Sequence, residues 1–310
     1  MKKLIEKHKN KLFVISPVFA LTLILFGGLY VLSRGPSGVT LQEDEIDLKA
    51  RALVSATFNG LNVGARAFVV YDDLSKDIIF SKNELAQLPL ASLTKIMSTV
   101  VALDLANENT IIDIKVPQDK FFGRWKLKDL LKLVLVSSSN SGINTISERL
   151  LSMQDVSLNG QWFVKLMNKK AKTLGLDQSY FLNESGLDID GTLSGAYGSP
   201  LDVAILFSYA LKISPEIFES TKYSSITVVS EDNRIVEVEN TNRTVSLIEG
   251  LVASKTGLTD LADGNLAVVT DIAPGHRIII VVFGSTEEGR FRDVEALSRA
   301  TRNYNSLVRE

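Results

Sequence analysis

Strand patterns lie near both ends of the folded part of this chain, and a long helical block separates them. Two short apolar segments, Ala65–Tyr71 and Asp77–Ser81, flank a polar turn and predict a first pair of strands. Two more hairpins are predicted late in the chain, from Ile226–Ser230 with Arg234–Glu239 and from Asn265–Asp271 with Arg277–Gly284. The simplest arrangement that unites strands from both ends is one antiparallel sheet.

Helical periodicity covers Ser92–Asn107 and most of Trp125–Leu211, with breaks near Ser138, Asn159 and Gly186. A last amphipathic helix is predicted from apolar residues at helical spacing: Phe291, Val294, Leu297, Ala300, Tyr304 and Leu307. The predicted fold class is therefore α+β, an antiparallel sheet from both chain ends covered by helices, plus a helical lobe. A site is expected in the cleft between the sheet and that lobe.

Leu12–Leu32 is a run of 21 residues without a charge. As a helix it would span roughly 30 Å, the thickness of the hydrocarbon core of a bilayer. Five lysines and one acid precede it, which favours a cytoplasmic N-terminus and an extracytoplasmic domain. A cleaved signal peptide is the alternative, but the run is longer than the usual apolar region of such peptides. The predicted organisation is a basic tail over 1–11, a transmembrane anchor over 12–32, a linker over 33–42 and one domain over 43–310.

Composition excludes several classes of site. The chain has no cysteine, so a thiol nucleophile, a thiolate metal site and disulfides are excluded. The two histidines, His8 and His276, cannot furnish a multi-histidine metal site, and they make a serine–histidine–aspartate triad improbable. Residues after the basic tail carry a net charge of −6, which argues against a nucleic-acid partner. We therefore expect no metal, no cofactor and a catalytic base other than histidine.

Ser92-Leu93-Thr94-Lys95 offers such a base. Residues three apart share one face of a helix, so Ser92 and Lys95 would point together. The free N–H groups at a helix start favour negative charge on a carbonyl that Ser92 attacks. Apolar neighbours would lower the pKa of Lys95 enough for it to take the serine proton. Taken alone, the motif is more often a helix cap followed by a surface lysine.

Two further motifs suit the same chemistry. Ser138-Ser139-Asn140 lies between two predicted helices, where a hydroxyl can relay a proton and an amide can hold both a lysine and a substrate carbonyl. Lys255-Thr256-Gly257 closes a short apolar stretch, where a strand would end and offer a cation and a hydroxyl to a carboxylate. Each alone is ordinary, a helix cap and a strand exit.

Together the three motifs resemble the serine D-alanyl-D-alanine carboxypeptidases, the low-molecular-weight penicillin-binding proteins, over roughly residues 50 to 310. The resemblance extends to Phe68–Asp73 (FVVYDD), Leu88–Leu103 (LPLASLTKIMSTVVAL), Trp125–Asn140, Phe163–Asp188, Glu239–Arg243 (ENTNR) and Ser254–Asp260 (SKTGLTD). It implies a β-lactamase/transpeptidase-like fold, a peptidoglycan stem peptide as substrate and acylation of Ser92 by β-lactams. The enzyme would act at the outer face of a bacterial cytoplasmic membrane.

The resemblance also implies a role for each site residue. Ser92 would be the nucleophile, Lys95 the base and Ser138 the proton relay. The substrate would be held by Asn140, Lys255, Thr256, Gly257, Leu258 and Arg290. Within this set, Lys255 and Thr256 would hold the terminal carboxylate, with Arg290 near it. The N–H groups of Ser92 and Leu258 would form the oxyanion hole.

Three alternatives remain open on the sequence alone. A D,D-endopeptidase would use the same residues on a cross-link. A β-lactamase of the same fold would need a carboxylate that activates water, for which Glu184 is the nearest candidate. A non-catalytic peptidoglycan-binding protein is the third, and the presence of every expected side chain disfavours it.

Overall fold

The computed structural model describes residues 52–115, 120–154 and 160–309. The predicted tail, membrane anchor and linker, over residues 1–42, lie outside these residues. Among the helices that are described, none is long and apolar enough to cross a bilayer. From Leu53 onward the chain forms one unit.

The described strands fall into one large sheet and three small ones. They are β1 (Ala67–Asp72), β2 (Ile78–Lys82), β3 (Leu88–Pro89), β4 (Ile111–Ile114), β5 (Gly123–Lys126), β6 (Tyr180–Phe181), β7 (Ala196–Gly198), β8 (Ser225–Val229), β9 (Ile235–Glu239), β10 (Leu251–Thr259), β11 (Asp263–Ala273) and β12 (His276–Ser285).

The described helices supply the lobe and the cover of the sheet. They are α1 (Thr94–Leu105), α2 (Leu127–Ser137), α3 (Asn140–Ser152), α4 (Gly160–Thr173), α5 (Pro200–Ile213), α6 (Pro215–Glu219) and α7 (Gly289–Arg309), with single 3₁₀ turns over Ala91–Leu93 and Ser220–Lys222.

The large sheet is antiparallel and takes strands from both ends of the chain, as predicted. Its order is β10-β11-β12-β1-β2. β1 joins the two halves by pairing with β12, so that Ala67 lies opposite Phe283 and Asp72 opposite Ile278. β10 is therefore an edge strand, and the edge that β11 does not cover is available to the site.

The two faces of the sheet bury different clusters. Val69 and Val281 face the helical lobe, where they share a core with Met97 of α1. Their neighbours Phe68 and Val282 face the other way and pack with α7. This alternation follows from the two-residue period of a strand. Since α1 is buried along its first nine residues, the polar side chains at its start are held in a dry interior.

Two sequence predictions are wrong in detail. Residues 174–199 are not helical; they form a loop-rich segment that contains only β6 and β7. Closely spaced glycines, among them Gly186 at φ +78°, interrupt helical hydrogen bonding there. The Lys255-Thr256-Gly257 motif does not end its strand either, because β10 continues through it to Thr259. The pair β4–β5 had no predicted counterpart.

Candidate active site

Ser92 lies in the 3₁₀ turn that leads into α1, at the position predicted for it. The turn begins with Ala91 at φ +49°, a conformation that residues other than glycine seldom adopt. Asn265 of β11 restrains it, since its Nδ2 donates to the carbonyl oxygens of Pro89 at 2.9 Å and Leu90 at 3.3 Å. The sheet thus fixes the turn that presents Ser92.

Lys95 is fully buried one helical turn beyond Ser92. Its Nζ lies 2.8 Å from Ser92 Oγ, 2.6 Å from Asn140 Oδ1 and 2.9 Å from the carbonyl oxygen of Ser185. Burial disfavours the charged form and lowers the pKa of Lys95 to about 7. A large fraction of this lysine is therefore a neutral amine at physiological pH.

The three partners of Lys95 define what that neutral amine can do. The Asn140 and Ser185 oxygens are carbonyls and can only accept hydrogen bonds. A neutral amine has two N–H groups and one lone pair, so two donated bonds leave the lone pair for the third partner. That partner is Ser92 Oγ, whose proton it can accept.

The Ser185 carbonyl is part of a loop whose role the sequence reasoning missed. Asn183 Oδ1 accepts from the N–H groups of Ser185 at 3.2 Å and Gly186 at 2.7 Å, which folds the chain back and fixes the carbonyl on Lys95. On the sequence alone, the Asn-x-Ser-Gly segment over 183–186 indicates only the Glu184 carboxylate, since a backbone carbonyl that binds a lysine has no sequence signal. Asn265 was also missed, because an asparagine inside a strand carries no motif.

Glu184 does not take the position that a water-activating carboxylate needs. Its Oε1 accepts from Ser147 Oγ at 3.2 Å and its carbonyl oxygen accepts from Ser98 Oγ at 2.6 Å. These bonds turn the residue into the helical lobe, while its neighbour Ser185 faces Lys95.

Ser138 and Lys255 meet on the other side of the cleft. Ser138 follows the last residue of α2 in a left-handed conformation, with φ 56° and ψ 33°. Lys255 Nζ donates to Ser138 Oγ at 2.8 Å and to the carbonyl oxygen of Thr256 at 3.0 Å. Burial, with the nearby charges of Lys95 and Arg290, lowers the pKa of Lys255 well below its ordinary value. The predicted convergence of the three motifs is present in the structure.

Gly257 allows the edge strand to approach the nucleophile turn. It lies opposite Asn265 in the β10–β11 register, and a β-carbon there would be 2.9 Å from the carbonyl oxygen of Leu90. The carbonyl of Gly257 accepts from Arg290 Nη1 at 2.7 Å, so Arg290 is buried at the end of the motif. Leu258 is exposed, with its side chain directed away from the core.

Within the described residues, no cluster of histidine, aspartate and glutamate side chains could hold a metal ion. His276 begins β12 at the β11–β12 turn. Its Nε2 lies 2.7 Å from Asp72 Oδ2, at the end of β12 remote from Asn265 and Gly257. The site therefore consists of serines, lysines, an amide, a threonine and an arginine.

Comparisons with known proteins agree with this geometry. The family profile described as D-alanyl-D-alanine carboxypeptidase matches residues 53–287. D-alanyl-D-alanine carboxypeptidase DacF of Bacillus subtilis is 27% identical over 72% of this chain, which spans 58% of that relative. A D-alanyl-D-alanine endopeptidase of Haemophilus influenzae is 28% identical over 66% of this chain and 70% of its own length. Cefotaxime-bound penicillin-binding protein D2 of Listeria monocytogenes has a TM-score of 0.65 and 28% identity, covering 78% of this chain and 98% of that one.

Proposed function

Because the chain belongs to the D-alanyl-D-alanine carboxypeptidase family of serine peptidases, we propose that it removes the terminal D-alanine from peptidoglycan stem peptides through an acyl-enzyme on Ser92. The family resemblance and the penicillin-binding-protein fold predicted from the sequence are both confirmed. The observation that carries the proposal is the buried Lys95 amine, 2.8 Å from Ser92 Oγ and held by two carbonyl acceptors.

Acylation begins with the transfer of the Ser92 proton to Lys95. The hydroxyl oxygen attacks the penultimate D-alanine carbonyl, and the N–H groups of Ser92 and Leu258 stabilise the oxyanion. Collapse of the tetrahedral intermediate breaks the peptide bond, and the proton that Lys95 took from Ser92 passes through the Ser138 hydroxyl to the leaving amine. The Ser138–Lys255 hydrogen bond supports this role. Lys255 donates to the oxygen of the Ser138 hydroxyl, so the proton of that hydroxyl stays available for transfer.

The terminal carboxylate is the counter-ion that this site requires. Lys255 and Arg290 are buried basic groups, and burial, followed by the neighbouring charges, lowers the pKa of Lys255. A carboxylate beside Lys255 and Thr256 would offset those charges and accept charge-assisted hydrogen bonds. This requirement favours substrates with a free carboxylate next to the scissile bond.

Deacylation uses the same base, Lys95, and returns the site to its starting state. Water replaces the departed D-alanine, Lys95 takes its proton as the water oxygen attacks the ester carbonyl, and that proton passes to Ser92 Oγ when the bond between the acyl group and Ser92 breaks. The hydrogen bonds of Glu184 to Ser147 and Ser98 support slow deacylation of a β-lactam adduct, because they direct the Glu184 carboxylate into the helical lobe and not against the ester, where a β-lactamase would need it. Intact-mass spectrometry should show a benzylpenicillin adduct on Ser92 that persists for minutes; loss within seconds would identify a β-lactamase.

Cleavage of cross-links is the second candidate, since relatives named D-alanyl-D-alanine endopeptidase match this chain to a similar degree. The deciding experiment incubates the full-length protein in detergent with a pentapeptide and, separately, with a cross-linked dimer. We expect free D-alanine from the pentapeptide and none from a Ser92→Ala control. Cleavage of the dimer alone would assign the endopeptidase activity instead.

We also propose that the domain works outside the cytoplasmic membrane, tethered by Leu12–Leu32. The support is the uncharged length of this run and the lysines before it. Protease added to intact spheroplasts should digest the domain and leave a short N-terminal membrane fragment. A domain that stays protected until lysis would contradict this topology.

A further inference from the structure

The hydroxyl of Thr241 lies 2.6 Å from the hydroxyl of Thr256, the middle residue of the Lys255-Thr256-Gly257 motif. Thr241 is on the loop that follows β9 and is separated from Thr256 by fourteen residues of chain. Thr256 is buried, whereas Thr241 is partly exposed. None of the roles assigned above uses this second hydroxyl.

The loop holds Thr241 rigidly. The N–H of Thr241 donates to the carbonyl oxygen of Val136 at 3.2 Å, two residues before Ser138. On one side of it, Asn240 Nδ2 donates to the carbonyl oxygens of Thr221 at 2.7 Å and Tyr223 at 2.9 Å. Thr241 therefore links the segment before Ser138 to the edge strand that carries Thr256.

Counting protons shows what the pair can do. Two hydroxyls share two protons, and one proton occupies the bond between them. If Thr241 donates, the proton of Thr256 is free to point at a carboxylate held beside Lys255. The bond from Thr241 then also strengthens that donation, because hydrogen bonds in a chain polarise one another.

We infer that Thr241 is a positioning residue that donates its hydroxyl proton to Thr256 and so orients the Thr256 hydroxyl toward the substrate carboxylate. The inference rests on the proposed function, in which Thr256 binds that carboxylate. It assigns Thr241 to substrate binding through Thr256, with no direct part in the chemistry at Ser92.

The test measures kcat and KM for a pentapeptide with the full-length protein. Thr241→Val keeps the shape and removes the hydroxyl; we expect KM to rise about tenfold, the size of one charge-assisted hydrogen bond, with kcat nearly unchanged. Thr241→Ser restores the hydroxyl and should restore KM. Thr244→Val is the matched control, since the Thr244 hydroxyl bonds only Asn242 in the same loop.

A double-mutant cycle tests the route through Thr256. Thr241→Val should add nothing to Thr256→Val if it acts through that hydroxyl. Additive losses, a normal KM in Thr241→Val, or failure of Thr241→Ser to restore binding would each overturn the inference. Thr241→Ala serves as the second hydroxyl-free variant, and thermal unfolding verifies that every variant folds.

The failure of the inference can be distinguished from that of the proposed function. A wild-type protein that releases no D-alanine refutes the function. The inference is then tested by measuring the acylation constants of the same variants with benzylpenicillin, which also carries a carboxylate near its reactive amide. A tenfold loss in Thr241→Val there would still support the pairing with Thr256, and an unchanged constant would overturn it.

Discussion

A β-carbon on Gly186 would lie 1.8 Å from the carbonyl oxygen of Ala91, the residue before the nucleophile. Gly186 has φ +78° and Ala91 has φ +49°, so two uncommon backbone conformations face each other. This contact fits the 183–188 loop against the nucleophile turn and places the Ser185 carbonyl on Lys95. Close packing here requires the absence of a side chain.

Gly186→Ala should therefore destabilise the protein by about 3 kcal/mol, combining a backbone clash with a left-handed conformation. Gly175→Ala is the matched control: it has φ +69°, but nothing lies within 4 Å of the added carbon, so only about 1 kcal/mol is expected. Urea unfolding measures both. Equal losses in the two variants would show that the contact with Ala91 is unimportant.

Acylation should depend on pH through Lys95. Its pKa is lowered to about 7 and only the neutral amine has a lone pair, so the acylation constant should fall about tenfold per pH unit below pH 7 and level off above it. Asn140→Asp places a carboxylate at the 2.6 Å contact and raises the pKa of Lys95. The pH below which the acylation constant falls should therefore move at least about one unit toward alkaline pH.

Asn144→Asp provides the control for that shift, because Asn144 is exposed on the next turn of α3. Its profile should match the wild type. If the pH dependence of the acylation constant is unchanged in Asn140→Asp, a group other than Lys95 controls acylation.

Ser138 and Ser139 should separate reactivity from stability. Ser138→Ala removes the hydroxyl that accepts from Lys255 and should slow D-alanine release about 100-fold, with little change in unfolding free energy. Ser139 Oγ instead caps α3 by accepting from the Gly142 N–H at 3.0 Å, so Ser139→Ala should lose about 1 kcal/mol of stability and keep its activity. Steady-state kinetics and thermal unfolding of both variants test this expectation. If Ser138→Ala loses stability and Ser139→Ala loses activity instead, Ser138 is not the proton relay.

Asn265→Asp should impair the enzyme through the nucleophile turn. The substitution removes the N–H groups that hold the Pro89 and Leu90 carbonyls, and we expect about 2 kcal/mol of destabilisation together with slower penicillin acylation. Asn168→Asp breaks a similar bridge to Phe181 in the helical lobe. Asn168→Asp should lose a comparable free energy of unfolding, while its folded fraction is acylated at the normal rate. If acylation slows equally in Asn168→Asp and Asn265→Asp, Asn265 has no local role at the nucleophile turn.

The sequence predicted the elements whose signals are local. Period-two patterns predict β1, β2, β8, β9, β11 and β12, and the three-residue spacing of Ser92 and Lys95 predicts that their side chains share a face. The hairpin patterns also implied an antiparallel sheet from both ends, which the β1–β12 pairing confirms.

Contacts made by backbone groups and by single asparagines could not be predicted in the same way. The Ser185 carbonyl binds Lys95 only because Asn183 closes a loop, and that loop leaves no hydrophobic period. Asn265 reaches the nucleophile turn because Gly257 opposite it lacks a side chain, a relation visible only once the β10–β11 register is fixed. The helix predicted through residues 174–199 is wrong, because closely spaced glycines interrupt the short apolar stretches there.

The pairing of β1 with β12 also sets the order in which the enzyme becomes active during synthesis. Ser92 leaves the ribosome early, whereas Lys255 and the strands that join it to β1 follow more than 150 residues later. Until β12 closes the sheet, Ser92 and Lys95 are already close in the chain, but the edge strand that carries Lys255 and Thr256 is not yet beside them. The candidate active site of the newly made chain therefore stays incomplete until nearly all of the chain has been synthesised, and its dependence on such distant contacts makes that last folding step slow.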